Sequence, residues 1–371
     1  MRVPLVDLTA QHQEVDAEVR RGLDAVFAET AFIGGPDVEQ FEQEYAAASG
    51  VQHCVGVANG TDALEIALRV AGVTAGGEVI LPANTFIATA EAVSRIGATP
   101  VLVDVDPDHL LIDPAGVARA VTARTRAIVP VHLFGQVAPV ERLTEIATAA
   151  GVPIVEDAAQ SQGAVHHGRI SGGLGLVAAT SFYPGKNLGA AGDAGAVTTN
   201  DPEIARAVRV LAAHGSPSKY VHDVVGMNSR LDTVQAVVLR AKLRRLAGWN
   251  DDRRKAAERY HELLSSLPGI RRPTSAPGNV DVWHLYVVQV ENRDAVVEAL
   301  HAAGVGAGIH YPTPIHLTRA YRHLGLGPSS FPVSEAAAGR ILSLPMFPHI
   351  VPEQQEHVVA CLAEAVAGHR P

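Results

Sequence analysis

The sequence predicts an α/β protein with a mostly parallel, seven-stranded sheet in a large domain, followed by a smaller α+β C-terminal domain. Two observations carry this prediction. Between about Val51 and Asn200, short apolar segments rich in β-branched residues alternate with amphipathic helical segments. After about Asn228, a long helical stretch replaces the alternation. Strands and helices that alternate in this way form a parallel sheet with helices on both faces.

The predicted strands of the large domain are bounded mostly by Gly, Pro or Asn. They are His53–Ala58, Glu78–Pro82, Pro100–Val105, Ala127–His132, Pro153–Asp157, Ala179–Tyr183 and Gly195–Thr199. The helices expected between them are Thr61–Ala71, Asn84–Ile96 and Val140–Ala150. Gly151 follows the last helix, and glycine there is a natural C-cap.

The second half of the chain predicts the smaller domain. Leu231–Ser266 reads as one long or broken helix, because its apolar residues recur on one face. Gly269–Asn279 is rich in Pro, Gly and Ser and predicts a connector. A strand at His284–Val290 and helices at Asp294–Ala303 and Pro352–Ala367 follow. We therefore expect a large domain at 1–250, which includes an N-terminal helical segment, and a small domain at 251–371.

Composition excludes several classes of function. Lys+Arg 30 against Asp+Glu 39 gives a net charge of -9, so no general affinity for nucleic acid or an anionic membrane is expected. Cys54 and Cys361 lie far apart and cannot form a disulfide framework, and no Cys/His cluster has zinc-site spacing. The first ten residues lack the apolar core of a signal peptide. We expect a cytoplasmic protein without a metal.

A turn between the first strand and its helix is the first candidate site. In Asn59-Gly60-Thr61-Asp62, Gly60 lets an anion approach the backbone, and the helix start offers free N–H groups. Thr61 adds a hydroxyl. A plain N-cap turn is the alternative, and alone the signal is weak.

Asp157 is the second candidate. It ends an apolar strand, where a carboxylate shielded from water needs a partner or a function. A protonated pyridine nitrogen is one such partner, because its charge turns the ring into an electron sink. An Asp that caps the following Ala158–Gln162 segment is the competing interpretation.

Lys186 is the third candidate, in Ser181-Phe182-Tyr183-Pro184-Gly185-Lys186-Asn187-Leu188-Gly189. A lysine after a Pro-Gly turn is usually a solvated cation, but small and apolar residues follow this one. Desolvation lowers the pKa of a lysine amine and makes it a nucleophile for an aldehyde. Ser181 offers a hydroxyl to a phosphate. A phosphate cradle, a strand-end Asp and a Lys in this order are typical of fold-type I pyridoxal-phosphate enzymes.

The sequence resembles the DegT/DnrJ/EryC1/StrS family of sugar aminotransferases over nearly its whole length. The resemblance rests on collinear blocks, which are Phe32-Ile33-Gly34-Gly35-Pro36, Gly60-Thr61-Asp62-Ala63-Leu64, Pro82-Ala83-Asn84-Thr85-Phe86-Ile87-Ala88-Thr89, Glu156-Asp157-Ala158-Ala159-Gln160, Ser181 to Gly189, Asn228-Ser229-Arg230-Leu231-Asp232, His310-Tyr311-Pro312 and Leu342-Ser343-Leu344-Pro345.

The resemblance implies the large domain of a fold-type I aminotransferase and a role for each matching residue. Lys186 would hold pyridoxal 5'-phosphate as a Schiff base, and Asp157 would pair with the pyridine nitrogen. The phosphate would bind Gly60, Thr61 and Ser181. Phe86 resembles the aromatic that stacks on the ring, and Gln160 the group that contacts the ring hydroxyl or packs on the opposite side. Asn228 would reach the phosphate of a neighbouring subunit, which implies a homodimer with shared active sites. Taken singly, Phe86 suits a core and Asn228 a helix cap.

The resemblance also implies the reaction. One branch of the family carries His in place of the lysine and dehydrates its substrate, so Lys186 favours transamination. We expect transfer from L-glutamate to a nucleotide-linked keto-6-deoxyhexose, at C-3 of a dTDP-sugar. A C-4 sugar aminotransferase and a keto-cyclitol aminotransferase are the alternatives. A non-catalytic regulator of the same fold is the alternative of another class, whereas a dinucleotide-binding reductase would need a Gly-x-Gly-x-x-Gly turn that is missing here.

Substrate contacts are the last expectation. A sugar nucleotide brings a diphosphate, so local cations and hydrogen-bond donors are needed. The candidates in family-like blocks are Lys219, Tyr220, Arg230, His310 and Tyr311. A surface or packing role is the alternative for each. Ser216–Met227, after the His214-Gly215 turn, is a candidate mobile cover of the site.

Overall fold

The computed structural model describes residues 1–368, and its elements are numbered here in chain order. The strands are β1 His53–Val57, β2 Glu78–Pro82, β3 Thr99–Val103, β4 Thr125–Ile128, β5 Val155–Asp157, β6 Val165–His166, β7 Arg169–Ile170, β8 Val177–Ser181, β9 Gly195–Thr199, β10 Ile270–Arg271, β11 Asn279–Val280, β12 Tyr286–Val290 and β13 Ile341–Leu344. The α-helices are α1 Leu8–Glu29, α2 Pro36–Ala48, α3 Gly60–Val70, α4 Ile87–Arg95, α5 Pro114–Ala120, α6 Val140–Ala150, α7 Pro202–Ala212, α8 Thr233–Leu263, α9 Arg293–Ala302, α10 Pro332–Ala338 and α11 Pro352–Gly368. Within residues 1–368, no helix is both long and apolar enough to cross a membrane.

The central sheet is mixed but mostly parallel. A four-stranded sheet runs in the order β1-β9-β8-β5, and a three-stranded sheet runs in the order β3-β2-β4. Isolated parallel bridges, Ile128 to Ile154 and Val131 to Asp157, join the two between β4 and β5. Only β9 among these strands runs antiparallel to its neighbours, β1 and β8. The carboxyl ends of β1, β5 and β8 therefore lie at one edge of the sheet.

Several predicted elements have different ends in the structure. The helix predicted from Asn84 begins at Ile87, because Phe86 is extended at its N-cap and the Asn84 side chain donates to the Leu110 carbonyl. The strand predicted over Ala127–His132 ends at Ile128 and continues as the isolated bridge at Val131. β2, β9 and α6 have the predicted bounds, and Gly151 caps α6 in a left-handed conformation.

Helix α8 is one continuous helix rather than a broken one, and it crosses residue 250. Its second half packs on a separate core with β12, β13, α9 and α11. Val3 belongs to the same core and pairs in parallel with Val305. Residues from the start of the chain thus complete the C-terminal core. The division at residue 250 stays a prediction.

Candidate active site

Two glycines bring the start of α3 against the ends of β8 and β9. A Cβ atom at Gly60 would lie 2.5 Å from the Cβ of Ser181, and one at Gly195 would lie 2.5 Å from the Asn59 carbonyl carbon. The Asn59 side chain accepts from the Asp62 N–H at 2.8 Å. The amides of Gly60 and Thr61 belong to the first helical turn, which has no intrahelical acceptor for them. These amides and the Ser181 hydroxyl form a cradle that suits a phosphate group.

Asp157 is buried at the carboxyl end of β5, with 5% of its surface exposed. Thr89 donates its hydroxyl to Asp157 Oδ2 at 2.8 Å, and the Ala159 N–H donates to Oδ1 at 3.2 Å. Burial raises the pKa of the carboxyl group above its usual value, although Thr89, Ala159 and the charge of Lys186 oppose the rise. A cationic ring nitrogen beside this carboxylate would favour its charged form.

Glu156, the neighbour of Asp157, has a structural environment. It is fully buried and accepts the backbone N–H groups of Gly172, Leu174 and Gly175 at 2.7–2.9 Å. His132 Nδ1 accepts from the Ala138 N–H, so its Nε2 carries the proton and donates to Glu156 at 2.9 Å. Burial raises the pKa of Glu156, but His132 and these amides outweigh it and hold the pKa below its usual value. Glu156 thus fixes the 172–175 turn against β5.

Lys186 lies in the loop between β8 and β9, partly buried, and its backbone N–H closes a turn on the Tyr183 carbonyl. Burial lowers the pKa of its ammonium group to about 8, and the charge of Asp157 opposes that shift. A substantial fraction of the amine is therefore neutral and nucleophilic near physiological pH. Lys186 and Asp157 lie near enough for the charge of each to affect the pKa of the other.

Side chains from the C-terminal half enclose the same site. Gln160 Oε1 accepts from the Phe134 N–H at 2.7 Å, and its Nε2 donates to the Tyr311 hydroxyl at 3.1 Å. The rings of Tyr311 and Phe86 have centroids 5.2 Å apart. His310 Nδ1 lies 2.8 Å from Ser343 Oγ, and burial together with the Lys186 charge lowers the pKa of His310 to about 4.

The remaining predicted site residues lie at the surface of this chain. Asn228, Lys219, Tyr220 and Arg230 are exposed, and Lys219 Nζ lies 5.2 Å from the centroid of the Tyr220 ring. Ser229 lies nearer the cradle, because its hydroxyl donates to Asp62 Oδ2 at 2.9 Å and accepts from the Ala58 N–H at 3.1 Å. The roles predicted for the four exposed residues stay predictions.

One group of side chains has metal-ligand character in the part of the chain that the structure describes, namely Glu141, His166 and His167. Both ring nitrogens of His166 already have partners. Nε2 lies 2.5 Å from Glu141 Oε2, and Nδ1 lies 2.6 Å from Asn279 Oδ1. Hydrogen bonding between α6 and β6 explains this group.

The residues present suit pyridoxal phosphate. Because Gly60 has no Cβ, the amides at the start of α3 lie close to Ser181, so the amides and the Ser181 hydroxyl can bind one phosphate. At the other end of the site, Asp157 offers a buried carboxylate, and Lys186 offers an amine with a lowered pKa. The fold and the site together define a pyridoxal-phosphate-dependent aminotransferase of fold type I.

The chain belongs to the DegT/DnrJ/EryC1/StrS aminotransferase family, whose sequence model matches residues 13–363. It is 49% identical over 362 residues to the erythromycin biosynthesis sensory transduction protein EryC1 of Saccharopolyspora erythraea, and the match covers 98% of this chain and 99% of that protein. It is 46% identical over 363 residues to a dTDP-3-amino-3,4,6-trideoxy-alpha-D-glucose transaminase of Streptomyces venezuelae, covering 98% and 96%.

A solved structure supports the same assignment. The crystal structure of S. venezuelae DesV in complex with a ketimine intermediate is similar to this chain, with a TM-score of 0.96 and 46% identity. The match covers 100% of this chain and 99% of that one. The family, the fold and the cofactor predicted from the sequence are confirmed.

Several residues of the site escaped the sequence analysis. Thr89, His132, Asn187 and His284 all contact the predicted residues or lie beside them. Asn187 was visible in the lysine block, and Thr89 ended the block that contains Phe86. His132 and His284 lie in segments that are distant in sequence from the residues they contact, so no spacing pattern marked them.

Proposed function

We propose that this protein transfers the amino group of L-glutamate to C-3 of a dTDP-linked keto-6-deoxyhexose. The observation that carries this proposal is that Lys186, with its lowered pKa, and the buried Asp157 follow neighbouring strands at one edge of the sheet. The choice of C-3 is supported by the relative named as a dTDP-3-amino-sugar transaminase. Sugar aminotransferase activity is the part of this function that the family membership establishes.

The residues of this chain have distinct parts in the proposed reaction. Pyridoxal phosphate, when bound, supplies a cationic ring that accepts electrons from the carbon beside the transferred nitrogen. Asp157 keeps the ring nitrogen protonated. Lys186 would take the proton from the α-carbon of glutamate and deliver it to the cofactor carbon on the other side of the transferred nitrogen, which a pKa of about 8 permits near neutral pH. In the second half-reaction, Lys186 works in the reverse direction on the keto-sugar.

The other contacts hold the cofactor in place. We assign the phosphate to the amides of Gly60 and Thr61 and to the hydroxyl of Ser181. Phe86 would stack on the ring. Gln160, whose side chain is already fixed by Phe134 and Tyr311, would contact the ring hydroxyl or the opposite side.

We further propose a homodimer in which each subunit completes the site of its partner. Large apolar side chains are exposed near the site and on the 216–227 segment, namely Phe32, Ile33, Phe86, Tyr183, Tyr220 and Val225. Exposure of this kind marks an interface. Asn228 would reach the partner's phosphate cradle, and Lys219, Tyr220 and Arg230 would meet the diphosphate of the sugar nucleotide beside His310 and Tyr311. The cytoplasmic location and the division into 1–250 and 251–371 belong to the same proposal.

The alternatives differ in acceptor or in class. A C-4 sugar aminotransferase or a keto-cyclitol aminotransferase would use the same cofactor site. A regulator without catalysis is suggested by the name of the sensory transduction relative, but Lys186 and Asp157 are both present here. These two residues favour catalysis.

One assay separates the candidates. Purified protein is incubated with glutamate and, in parallel, with a 3-keto dTDP-sugar, a 4-keto dTDP-sugar and a keto-cyclitol, and 2-oxoglutarate release is measured. We expect turnover with the 3-keto sugar at a kcat/KM at least about tenfold above the others, equal to about 1.4 kcal/mol of transition-state binding. Faster turnover of either other acceptor would reassign the substrate, and no turnover of any would favour the regulator.

A further inference from the structure

Ser181, whose hydroxyl we assign to the phosphate, lies beyond the last residue pair between β5 and β8. β5 ends at Asp157, which pairs with Ala179, and the Ala158 N–H donates to the Ala179 carbonyl at 2.8 Å. Carbonyls of alternate residues point to the same side of a strand, so the Ser181 carbonyl faces the side that β5 has left. On the other side, Ser181 pairs with Gly195 of β9. The end of β8 therefore needs another donor on the β5 side.

The side chain of Gln162 supplies that donor. Its Nε2 donates to the Ser181 carbonyl at 2.8 Å and to Thr180 Oγ1 at 3.0 Å, with a longer contact to the Ala159 carbonyl at 3.3 Å. Two of these acceptors are carbonyls, which cannot donate, so the amide can face them only with its NH2 group. Gln162 is buried, with 2% of its surface exposed. Its side chain thus continues the hydrogen-bond ladder of the sheet where β5 has ended.

Helix α8 fixes the backbone of Gln162. The buried side chain of Asn250 donates from Nδ2 to the Gln162 carbonyl at 2.9 Å. At the next residue, Gly163, the backbone is left-handed, and a Cβ there would lie 2.8 Å from the same Nδ2. Glycine therefore permits the close approach of this turn to α8. Because its backbone is held in this way, the Gln162 amide can hold the end of β8 in turn.

The side chain of Ser181 meets the start of α3. A Cβ at Gly60 would lie 2.5 Å from Ser181 Cβ and 3.0 Å from its Oγ, and the Tyr183 N–H donates to the same Oγ at 3.3 Å. Since the two elements are this close, a small displacement of Ser181 changes the distances from its hydroxyl to the amides of Gly60 and Thr61. The geometry of the cradle therefore depends on how firmly the end of β8 is held.

We propose that Gln162 is a positioning residue for the cofactor phosphate. Its amide holds the end of β8 so that the Ser181 hydroxyl and the amides at the start of α3 face one phosphate group. Gln162 acts through Ser181 and makes no bond to the phosphate itself. This inference rests on the proposed assignment of the phosphate to Ser181 and adds a residue that supports it.

Binding of pyridoxal phosphate and of pyridoxal, which has no phosphate, to the cofactor-free, full-length protein provides the test. Gln162→Met keeps the length of the side chain and removes its hydrogen bonds to β8. We expect the Kd of pyridoxal phosphate to rise about tenfold, because the Ser181 carbonyl loses this donor, whereas the Kd of pyridoxal should stay within about twofold of wild type. Absorbance of the lysine-linked cofactor measures both constants.

The comparison of the two ligands separates positioning from general damage to the fold. A variant that only loosened the protein would weaken both ligands alike, and that result, or an unchanged Kd of pyridoxal phosphate, overturns the proposal. Thr180→Val removes the second acceptor of the Gln162 amide with little change in shape, and it serves if Gln162→Met does not fold. It should raise the Kd of pyridoxal phosphate about threefold relative to that of pyridoxal. An unchanged ratio of the two constants would contradict us.

Ser181→Ala distinguishes this inference from the assignment on which it rests. It should itself weaken pyridoxal phosphate binding, and unchanged affinity would refute the assignment of the phosphate to Ser181. In the Ser181→Ala background, Gln162→Met should have little further effect, because the hydroxyl that it positions is gone. A further loss of about tenfold in the double variant would show that Gln162 acts elsewhere, and the assignment of Ser181 would stand.

Gln355 on α11 provides the matched control. It is also buried, with 2% of its surface exposed, and its Nε2 donates to the Ala256 carbonyl at 2.7 Å. Gln355→Met should therefore lower the melting temperature but leave the ratio of the two dissociation constants in place. Melting curves of each variant confirm that it is folded.

Discussion

At the scale of single residues, the proposed chemistry depends on Lys186. Lys186→Ala should abolish both the absorbance of lysine-linked cofactor and turnover, because it removes the amine that is proposed to bind the aldehyde of the cofactor. Absorbance spectroscopy and the glutamate assay measure the two effects. Lys255, exposed on α8 and paired with Asp252, provides the matched control, and Lys255→Ala should leave both unchanged. Retention of both signals in the Lys186 variant would disprove the assignment.

Gly60 tests the phosphate cradle. Its missing side chain lets α3 approach Ser181, and a Cβ there would lie 2.5 Å from Ser181 Cβ. We expect Gly60→Val to push α3 away and to weaken pyridoxal phosphate binding by about tenfold or more, since each lost phosphate hydrogen bond to a charged group is worth about 1.5–3 kcal/mol. Fluorescence titration measures the affinity. Gly248→Val, at an exposed position of α8 where a Cβ would meet no other atom within 4 Å, is the control.

The sequence predicted those site residues that have a distinctive local sequence around them. Lys186 stands among small and apolar residues, and Asp157 ends an apolar strand, so each had a local signal. His284 and His132 had none. Their meaning depends on Asn187 and Glu156, which meet them only after the sheet and the C-terminal half have packed together.

Among the elements, β5 owes its position to a buried carboxylate. Glu156 joins the strand to the 172–175 turn through three N–H groups and His132. Since the folded-state pKa of Glu156 is lowered, this stabilisation is fully present above the unfolded pKa of about 4.5 and is lost as pH falls through the lower folded value.

Glu156→Gln should therefore destabilise the protein by about 3 kcal/mol at pH 7, because a buried network loses its charged acceptor. The difference between the free energies of unfolding of the variant and the wild type should shrink at pH 3.5, because protonation begins to remove the charge of wild-type Glu156 there. Urea unfolding at the two pH values measures it. Equal destabilisation at both would mean that the amide disturbs packing and that the charge itself contributes nothing.

Element types were easier to predict than element ends. Alternating apolar segments predicted the strands of the sheet, but α4 lost its first turn because Asn84 contacts Leu110, 26 residues away. The strand β13 had no periodic signal of its own, since all four of its residues are buried. Such ends are decided by contacts between elements, which local patterns do not contain.

At the scale of the whole molecule, the proposed sharing of active sites within a homodimer predicts complementation. Lys186→Ala and Asn228→Ala homodimers should each be strongly impaired. When the two variants are mixed and reassembled, hybrid dimers form that have one doubly mutated site and one native site. With random assortment of the subunits, activity should therefore recover to about a quarter of wild type. Ultracentrifugation confirms the dimers. An absence of recovery, with hybrid dimers present, would show that each subunit uses its own Asn228.

The fold class followed from the sequence, whereas the way in which the two halves close over the site did not. Tyr311 meets Phe86 and Gln160, and Val282 and His284 meet Asn187, through hydrogen bonds or ring contacts between residues more than 90 positions apart. Collinear family blocks made Phe86, Gln160 and Tyr311 candidates, whereas Val282 and His284 lie outside every block. Only the packing of the chain shows which of them are neighbours.

The pairing of Val3 with Val305 has a consequence for biosynthesis. Val3 leaves the ribosome long before Val305, and its place in the C-terminal core does not exist until β12, β13 and α11 have been translated. Contacts between such distant parts of a chain form slowly, because a long loop has to close. Val3 therefore stays unprotected until these C-terminal elements have been translated, and we expect chaperones to bind this part of the nascent chain.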